Sequence, residues 1–308
     1  MKRILVLGSS GFIGSSILKK LSENTEWKVL GTYYDHQPLE DRLKQQVSVQ
    51  KLDMLNQGEL QSCLQQTTPD VIVHCAAMSN VDECEQNPQQ CYLHNVNPVK
   101  IVVEYCKFNP EVKYIFFSSS EVFDGKRGKP YAEKDSCSSL NKYGKYKIEA
   151  EGLVNSLPNK VIIRPCLVFG IPQEYQHRNI FNYIYKTLHE GKTFTAYEDM
   201  IRTPTYVKDI PLVVERIIMN DKKGIFHTGG KETSIADFAK EVASYFGFPE
   251  ESIISKKSKG NEVAYKPIDN RLDCTYTEKE LGFQFRSLAE ALPELLSEIK
   301  RFEVRGVA

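Results

Sequence analysis

Tyr143 and Lys147 stand four residues apart, and a run of three serines, Ser118-Ser119-Ser120, precedes them. Of the sixteen tyrosines only Tyr143 has a lysine at that spacing. On a helix, residues four apart share one face. The chemistry this set supports is proton exchange with a carbonyl oxygen. A free phenol titrates near about 10 and is a poor acid–base at neutral pH. A neighbouring ammonium, with the positive nicotinamide of an oxidised cofactor, favours phenolate and lowers that value. Lys147 would supply the ammonium and also hold the nicotinamide ribose. A serine hydroxyl at a strand end can hydrogen-bond the carbonyl and stabilise developing charge.

A second constellation lies at the N-terminus. The apolar run Ile4-Leu5-Val6-Leu7 leads into Gly8-Ser9-Ser10-Gly11-Phe12-Ile13-Gly14, a G-x-x-G-x-x-G spacing. Gly8 permits a tight turn, Gly11 lets backbone approach a pyrophosphate, and Gly14 lets helix and strand pack closely. The helix that follows would offer unpaired N–H groups to the phosphates. The end of the second strand reads Gly31-Thr32-Tyr33-Tyr34-Asp35-His36. Counted from the strand, Tyr33 falls where an acid often sits; counted from the glycines, Asp35 is placed for a ribose 2′-OH. The residues leave NAD and NADP both open. Asp53, after the third strand, is placed to touch the adenine amine.

These groups need elements to carry them. Strands are expected at 3–7, 27–32, 47–51, 71–75, 113–118 and 160–164, with helices near 12–23, 57–66, 92–108 and 140–156. The strands are rich in Val, Ile and Phe without alternation, the pattern of burial on both faces. Strand–helix alternation implies βαβ units and an α/β, doubly wound parallel Rossmann sheet with right-handed crossovers. After about residue 170 the rhythm changes. Helices are expected at 179–188, 234–246 and 287–300, separated by shorter, more polar stretches. We read residues 1–170 as the dinucleotide-binding unit and 171–308 as a smaller substrate-binding region. The boundary is soft, with elements free to cross back.

Composition narrows the partners. The chain has 308 residues, 41% apolar and 26% charged, and its forty basic residues balance forty acidic ones. No basic excess exists to draw nucleic acid or an anionic membrane. No apolar run approaches the roughly 20 residues of a membrane helix. The eight cysteines form no C-x-x-C pair and no zinc spacing, so no metal site is expected. They read as free thiols, which with no secretion signal implies the reducing cytoplasm.

In this order the motifs resemble the extended short-chain dehydrogenase/reductase family, and the resemblance covers nearly the whole chain. The residues carrying it are Gly8/Gly11/Gly14, Asp53, His74-Cys75-Ala76-Ala77, Asn95-Val96-Asn97, Ser118-Ser119-Ser120, Tyr143/Lys147 and Arg164-Pro165. Within the family the chain is most similar to the dTDP-4-dehydrorhamnose reductase group. Further signs are Val81-Asp82 with Glu85 and Pro88, Glu121-Val122-Phe123-Asp124-Gly125, Pro130-Tyr131 with Glu133 and Asp135, and the segment from Leu140 to Lys147.

The resemblance implies an NAD(P)H-dependent reductase of a 4-keto-6-deoxy sugar carried on a nucleoside diphosphate. It implies Ser119, Tyr143 and Lys147 as the catalytic set. NADPH or NADH would lie against Gly8, Ser10, Gly11, Phe12, Ile13 and Gly14, with Tyr33, Asp53, Met54, Ala76, Ala77, Asn95, Ser118, Tyr143 and Lys147. Ser120 and Arg202 would face the substrate, Arg202 pairing with its pyrophosphate through a planar fork. One departure matters: related 4,6-dehydratases carry Asp-Glu after the catalytic Thr, and here Ser120 replaces that Asp, which disfavours dehydration. Two other readings stand beside the reductase. One is a nucleotide-sugar 4-epimerase with a tightly held cofactor. The other is a non-catalytic regulatory beta subunit of a methionine adenosyltransferase, which Phe226-His227-Thr228-Gly229-Gly230 and Asn270-Arg271-Leu272-Asp273-Cys274 resemble equally well. Helices 92–108 and 140–156 would form the bundle of a homodimer, as in similar proteins.

Overall fold

A computed structural model of the chain describes residues 1–38, 47–177, 179–258 and 263–304. The first half runs β1 (Lys2–Leu7), α1 (Phe12–Leu21), β2 (Trp27–Tyr33), β3 (Val47–Lys51), α2 (Gln57–Thr67), β4 (Val71–His74), α3 (Val81–Gln86), α4 (Pro88–Asn95), α5 (Asn97–Phe108), β5 (Lys113–Phe117), α6 (Lys142–Asn155) and β6 (Lys160–Pro165). The second half adds β7 (Val168–Phe169), α7 (Ile180–His189), β8 (Phe194–Tyr197), β9 (Ile201–Arg202), β10 (Thr205–Tyr206), α8 (Asp209–Met219) and β11 (Gly224–Thr228). It closes with β12 (Thr233–Ser234), α9 (Ile235–Phe246), β13 (Ile253–Lys256), α10 (Thr275–Leu281) and α11 (Leu288–Val304).

The main sheet has seven strands in the order β11-β6-β5-β4-β1-β2-β3, every pair parallel. The expected doubly wound architecture is therefore present. β1 alternates its apolar side chains between two cores. Ile4 and Val6 face Ile17, Leu18 and Leu21 of α1 and the apolar side of α8. Leu5 and Leu7 face α2, α5 and α6. Both faces are covered, which is why the strands read as unbroken apolar runs. A third core, around Phe169, Phe181 and Phe238, belongs to the later elements. Strand order reverses beside β1, between β2 and β4, and in such sheets the crevice lies at the carboxyl ends of the strands at that point.

Two expectations are corrected. The helix expected at 92–108 is two helices, α4 and α5, broken at Val96; Pro98 sits in the first turn of α5, where its missing N–H costs nothing. The stretch between the helices expected at 179–188 and 234–246, read as shorter and more polar, carries the apolar helix α8 and the strand β11, which pairs with β6 and returns the chain to the main sheet.

Candidate functional site

The strand ends of β1, β2, β4, β5 and β6 open onto two adjoining cavities of about 1020 and 500 Å3. Ser10, Gly11, Ala77, His36 and His177 line both, so the two form one groove with a neck at the glycine turn. The larger end holds Tyr33, Asp53, Met54 and Ala76; the smaller holds Ser118, Ser119, Tyr143 and Lys147.

The neck is shaped by missing side chains. Gly8 has φ +81°, and a Cβ there would lie 2.7 Å from the Ala76 backbone. A Cβ on Gly14 would lie 2.1 Å from the Gly8 carbonyl oxygen. The turn is tied to β2 by Ser9 N donating to Thr32 O at 2.7 Å and Gly8 N donating to Thr32 Oγ1 at 3.2 Å. Gly11 is the N-cap of α1, which has no side-chain cap and no acid in its first turn. Its first N–H groups are therefore available to an anion at the positive end of the helix. The lining fits a dinucleotide: the glycine turn would hold its diphosphate, Asp53 its adenosine, and Tyr143 with Lys147 its nicotinamide ribose. The Ser118 hydroxyl, buried with no hydrogen-bond partner in the structure, adds an unspent polar group at that end.

The far end is carried by α6. Asn141 caps it, its Oδ1 accepting from Gly144 N at 2.8 Å, while its Nδ2 donates to Glu121 Oε2 at 2.9 Å and to the Tyr265 carbonyl at 3.0 Å. Tyr143 and Lys147 then face inward on one side, 6% and 2% exposed. Lys147 Nζ donates to the Phe117 carbonyl at 2.9 Å and lies 5.8 Å from the Tyr143 ring centre. Ser119 Oγ accepts from Glu121 N at 3.1 Å, leaving its own proton to donate. It hydrogen-bonds Tyr143.

The electrostatics differ from expectation. Burial pushes the Tyr143 phenol well above its ordinary value, the Ser119 hydrogen bond pulls it back, and the Glu121 charge pushes it further up. The lysine does not prevail over desolvation. Lys147 is itself pushed down to about 8 by burial, against the partial support of Cys91, Cys75, Glu151 and Cys84. Tyr143 thus rests as a neutral phenol, the state in which it can give a proton.

Gly8, Ser10, Gly11, Phe12, Ile13, Gly14, Tyr33, Asp53, Met54, Ala76, Ala77, Ser118, Ser119, Tyr143 and Lys147 all line the groove. Three sequence-read residues do not. Asn95 is buried beneath it, its Nδ2 donating to the Met78 and Cys91 carbonyls at 3.0 Å each. It steadies the loop that carries Met78 rather than lining the groove. Ser120 is buried, its hydroxyl accepting from Asn270 Nδ2 at 3.2 Å. Arg202 is 7% exposed and donates to the carbonyls of Ile201, Pro267 and Ile268, so its fork holds backbone rather than lining the groove. Sequence reasoning missed Tyr175, Gln176 and His177, which reach the groove from the loop after β7. No motif or period marks that loop. Among the described residues no His, Cys, Asp and Glu cluster could hold a metal, and no helix is long and apolar enough to cross a membrane.

The family described as RmlD substrate binding domain matches residues 1–301. A dTDP-4-dehydrorhamnose reductase of Aggregatibacter actinomycetemcomitans is 28% identical over 312 residues, 96% of this chain and 98% of that protein. Methionine adenosyltransferase 2 subunit beta of Danio rerio is 27% identical over 286 residues, 90% of this chain and 84% of that protein. Among solved structures, a hypothetical dTDP-4-dehydrorhamnose reductase from Sulfolobus tokodaii superposes with a TM-score of 0.81 at 28% identity, covering 93% of this chain and 97% of that one. The dTDP-4-dehydrorhamnose reductase of Bacillus anthracis, solved in complex with NADP, shares the fold at 22% identity, with a TM-score of 0.81, 97% of this chain and 100% of that one.

Proposed function

The chain belongs to the RmlD substrate binding domain family, and from that premise we propose that it reduces the keto group of a nucleotide-linked 4-keto-6-deoxy sugar with NADPH or NADH. It is an NAD(P)-dependent oxidoreductase of the dTDP-4-dehydrorhamnose reductase kind. One observation carries the reading: a single groove joins a phosphate-binding turn at its neck to Ser119, Tyr143 and Lys147 at one end.

Held by the glycine turn, Tyr143 and Lys147, a reduced nicotinamide would supply the hydride for the keto carbon. Tyr143, neutral at physiological pH, gives its proton to the keto oxygen as that oxygen gains charge. Ser119 donates a hydrogen bond to the same oxygen. Lys147 stabilises the phenolate left behind and keeps it in place for reprotonation. Dehydration has less support. Ser120 is tied to Asn270, and the Glu121 carboxylate is held by the amides of Asn141 and Asn270 at 2.9 Å each, outside the groove lining. Neither Ser120 nor Glu121 lines the groove, so neither is placed there as the acid or base of an elimination. The family resemblance further supports a homodimer, through α5 and α6, and the free cysteines support a cytoplasmic setting.

The test is reduced-cofactor oxidation on a panel of dTDP- and other nucleotide-linked 4-keto sugars. The expected result is NADPH or NADH consumed one for one with the sugar. No consumption across the panel overturns the proposal. The beta-subunit relatives favour a second reading, a dinucleotide-holding subunit of a methionine adenosyltransferase. Capture of a methionine adenosyltransferase catalytic subunit, with no sugar reduction, would select it.

A further inference from the structure

Three features of the loop after β7 converge on the neck of the groove. Gln176 Nε2 donates to Ser10 O at 2.9 Å and Ser15 Oγ at 3.1 Å, so this side chain grips the glycine turn and the first turn of α1. The Tyr175 ring stacks on His36, centre to centre 4.7 Å at 24°, which joins the loop to the segment after β2. Tyr175 lines the smaller cavity, and its hydroxyl is buried with no hydrogen-bond partner in the structure. The loop therefore crosses from one wall of the groove to the other. It is fastened at the turn by hydrogen bonds and at the far wall by one ring stack.

We propose that residues 171–177 are a latch over the dinucleotide's diphosphate, with Tyr175 donating a hydrogen bond to that diphosphate and the His36–Tyr175 stack as the contact that opens for exchange. The inference rests on reading the groove as a dinucleotide site. A buried hydroxyl without a partner costs free energy that a bound phosphate oxygen would recover. The stack is the weaker fastening because one partner, His36, lies on an exposed segment. Opening there frees the groove while Gln176 keeps the loop registered on the turn.

The experiment needs no sugar, so it stands apart from the reductase assay. NADH or NADPH binding and release are followed by cofactor fluorescence, at equilibrium and after rapid dilution into competing ADP-ribose. Tyr175→Ala and His36→Ala are each expected to speed release about tenfold. Tyr175→Phe, which keeps the ring stack, is expected to bind about tenfold more weakly through the lost hydrogen bond to a charged acceptor, with release faster in proportion and association unchanged. His36→Ala carries the test if Tyr175→Ala does not fold. Release within twofold of the parent in either folded alanine variant overturns the latch. Unchanged affinity in Tyr175→Phe overturns the hydroxyl's part. A parent protein that binds neither dinucleotide overturns both. Latch effects without sugar reduction would leave the inference standing and remove only the reductase reading.

Discussion

The chemistry turns on two buried groups whose titrations move in opposite directions. Tyr143 is raised, so it remains a proton donor throughout the neutral range. Lys147 is lowered to about 8, so it loses its charge as pH rises through that value. We therefore expect kcat/KM for sugar reduction to fall above about pH 8, with a single-proton limb that disappears in Lys147→Met along with most activity. The same shift acts on stability. The folded Lys147 binds its proton less tightly than the unfolded one, so between about 8 and its ordinary value the unfolded chain holds more protons. Stability contributed by this site rises with pH across that window, and below it burial of the charge is a standing cost. Lys147→Met should unfold at higher denaturant than the parent at pH 7, by a few kcal/mol at most, on the order of the shift times roughly 1.4. A less stable Lys147→Met would contradict this. Residue types and spacing made Tyr143, Lys147 and the glycines legible. They misplaced Arg202, because its carbonyl partners Pro267 and Ile268 lie 65 and 66 residues away and no local pattern announces a guanidinium spent on backbone.

Helix α6 is the element that aims the chemistry, and it is pinned at two points. At its start Asn141 caps it and ties it to Glu121; one turn beyond Lys147, Glu151 Oε2 meets Arg164 of β6 at 2.6 Å, both side chains buried. Removing the cap should cost about 1 kcal/mol of helix stability. It also leaves the buried Glu121 carboxylate short of a donor. Asn141→Ala is therefore expected to lower kcat by more than it changes cofactor affinity, whereas equal losses in both would argue against a positioning role. Glu151→Ala breaks a buried ion pair and should destabilise the protein by about 3–5 kcal/mol, measured by urea unfolding. A loss under about 1 kcal/mol would show that the pair does not anchor the helix. Apolar periodicity revealed α1, α2, α6 and α9 in the sequence. The strands β7, β9, β10 and β12 span two residues each, too short for any period, and exist only through their partners.

At the scale of the whole molecule, the alternating half of the chain was legible because its central strands β1, β4, β5 and β6 bury both faces along most of their length. The return of the chain through β11, beside β6, was not, because a five-residue strand between polar turns carries little pattern. The loop that crosses the neck was equally silent, since its role comes from what it lies against. We expect sedimentation equilibrium to report twice the 35.2 kDa of one chain, and a monomer at micromolar concentration would remove the homodimer. Tyr143's role as proton donor is tested by Tyr143→Phe compared with the parent enzyme, with kcat measured on a dTDP-linked 4-keto-6-deoxy sugar and Kd measured for NADPH and NADH. We expect kcat reduced by about 100- to 10,000-fold with cofactor Kd within a few-fold of the parent. Unchanged kcat in a variant that still binds the dinucleotide would contradict that role.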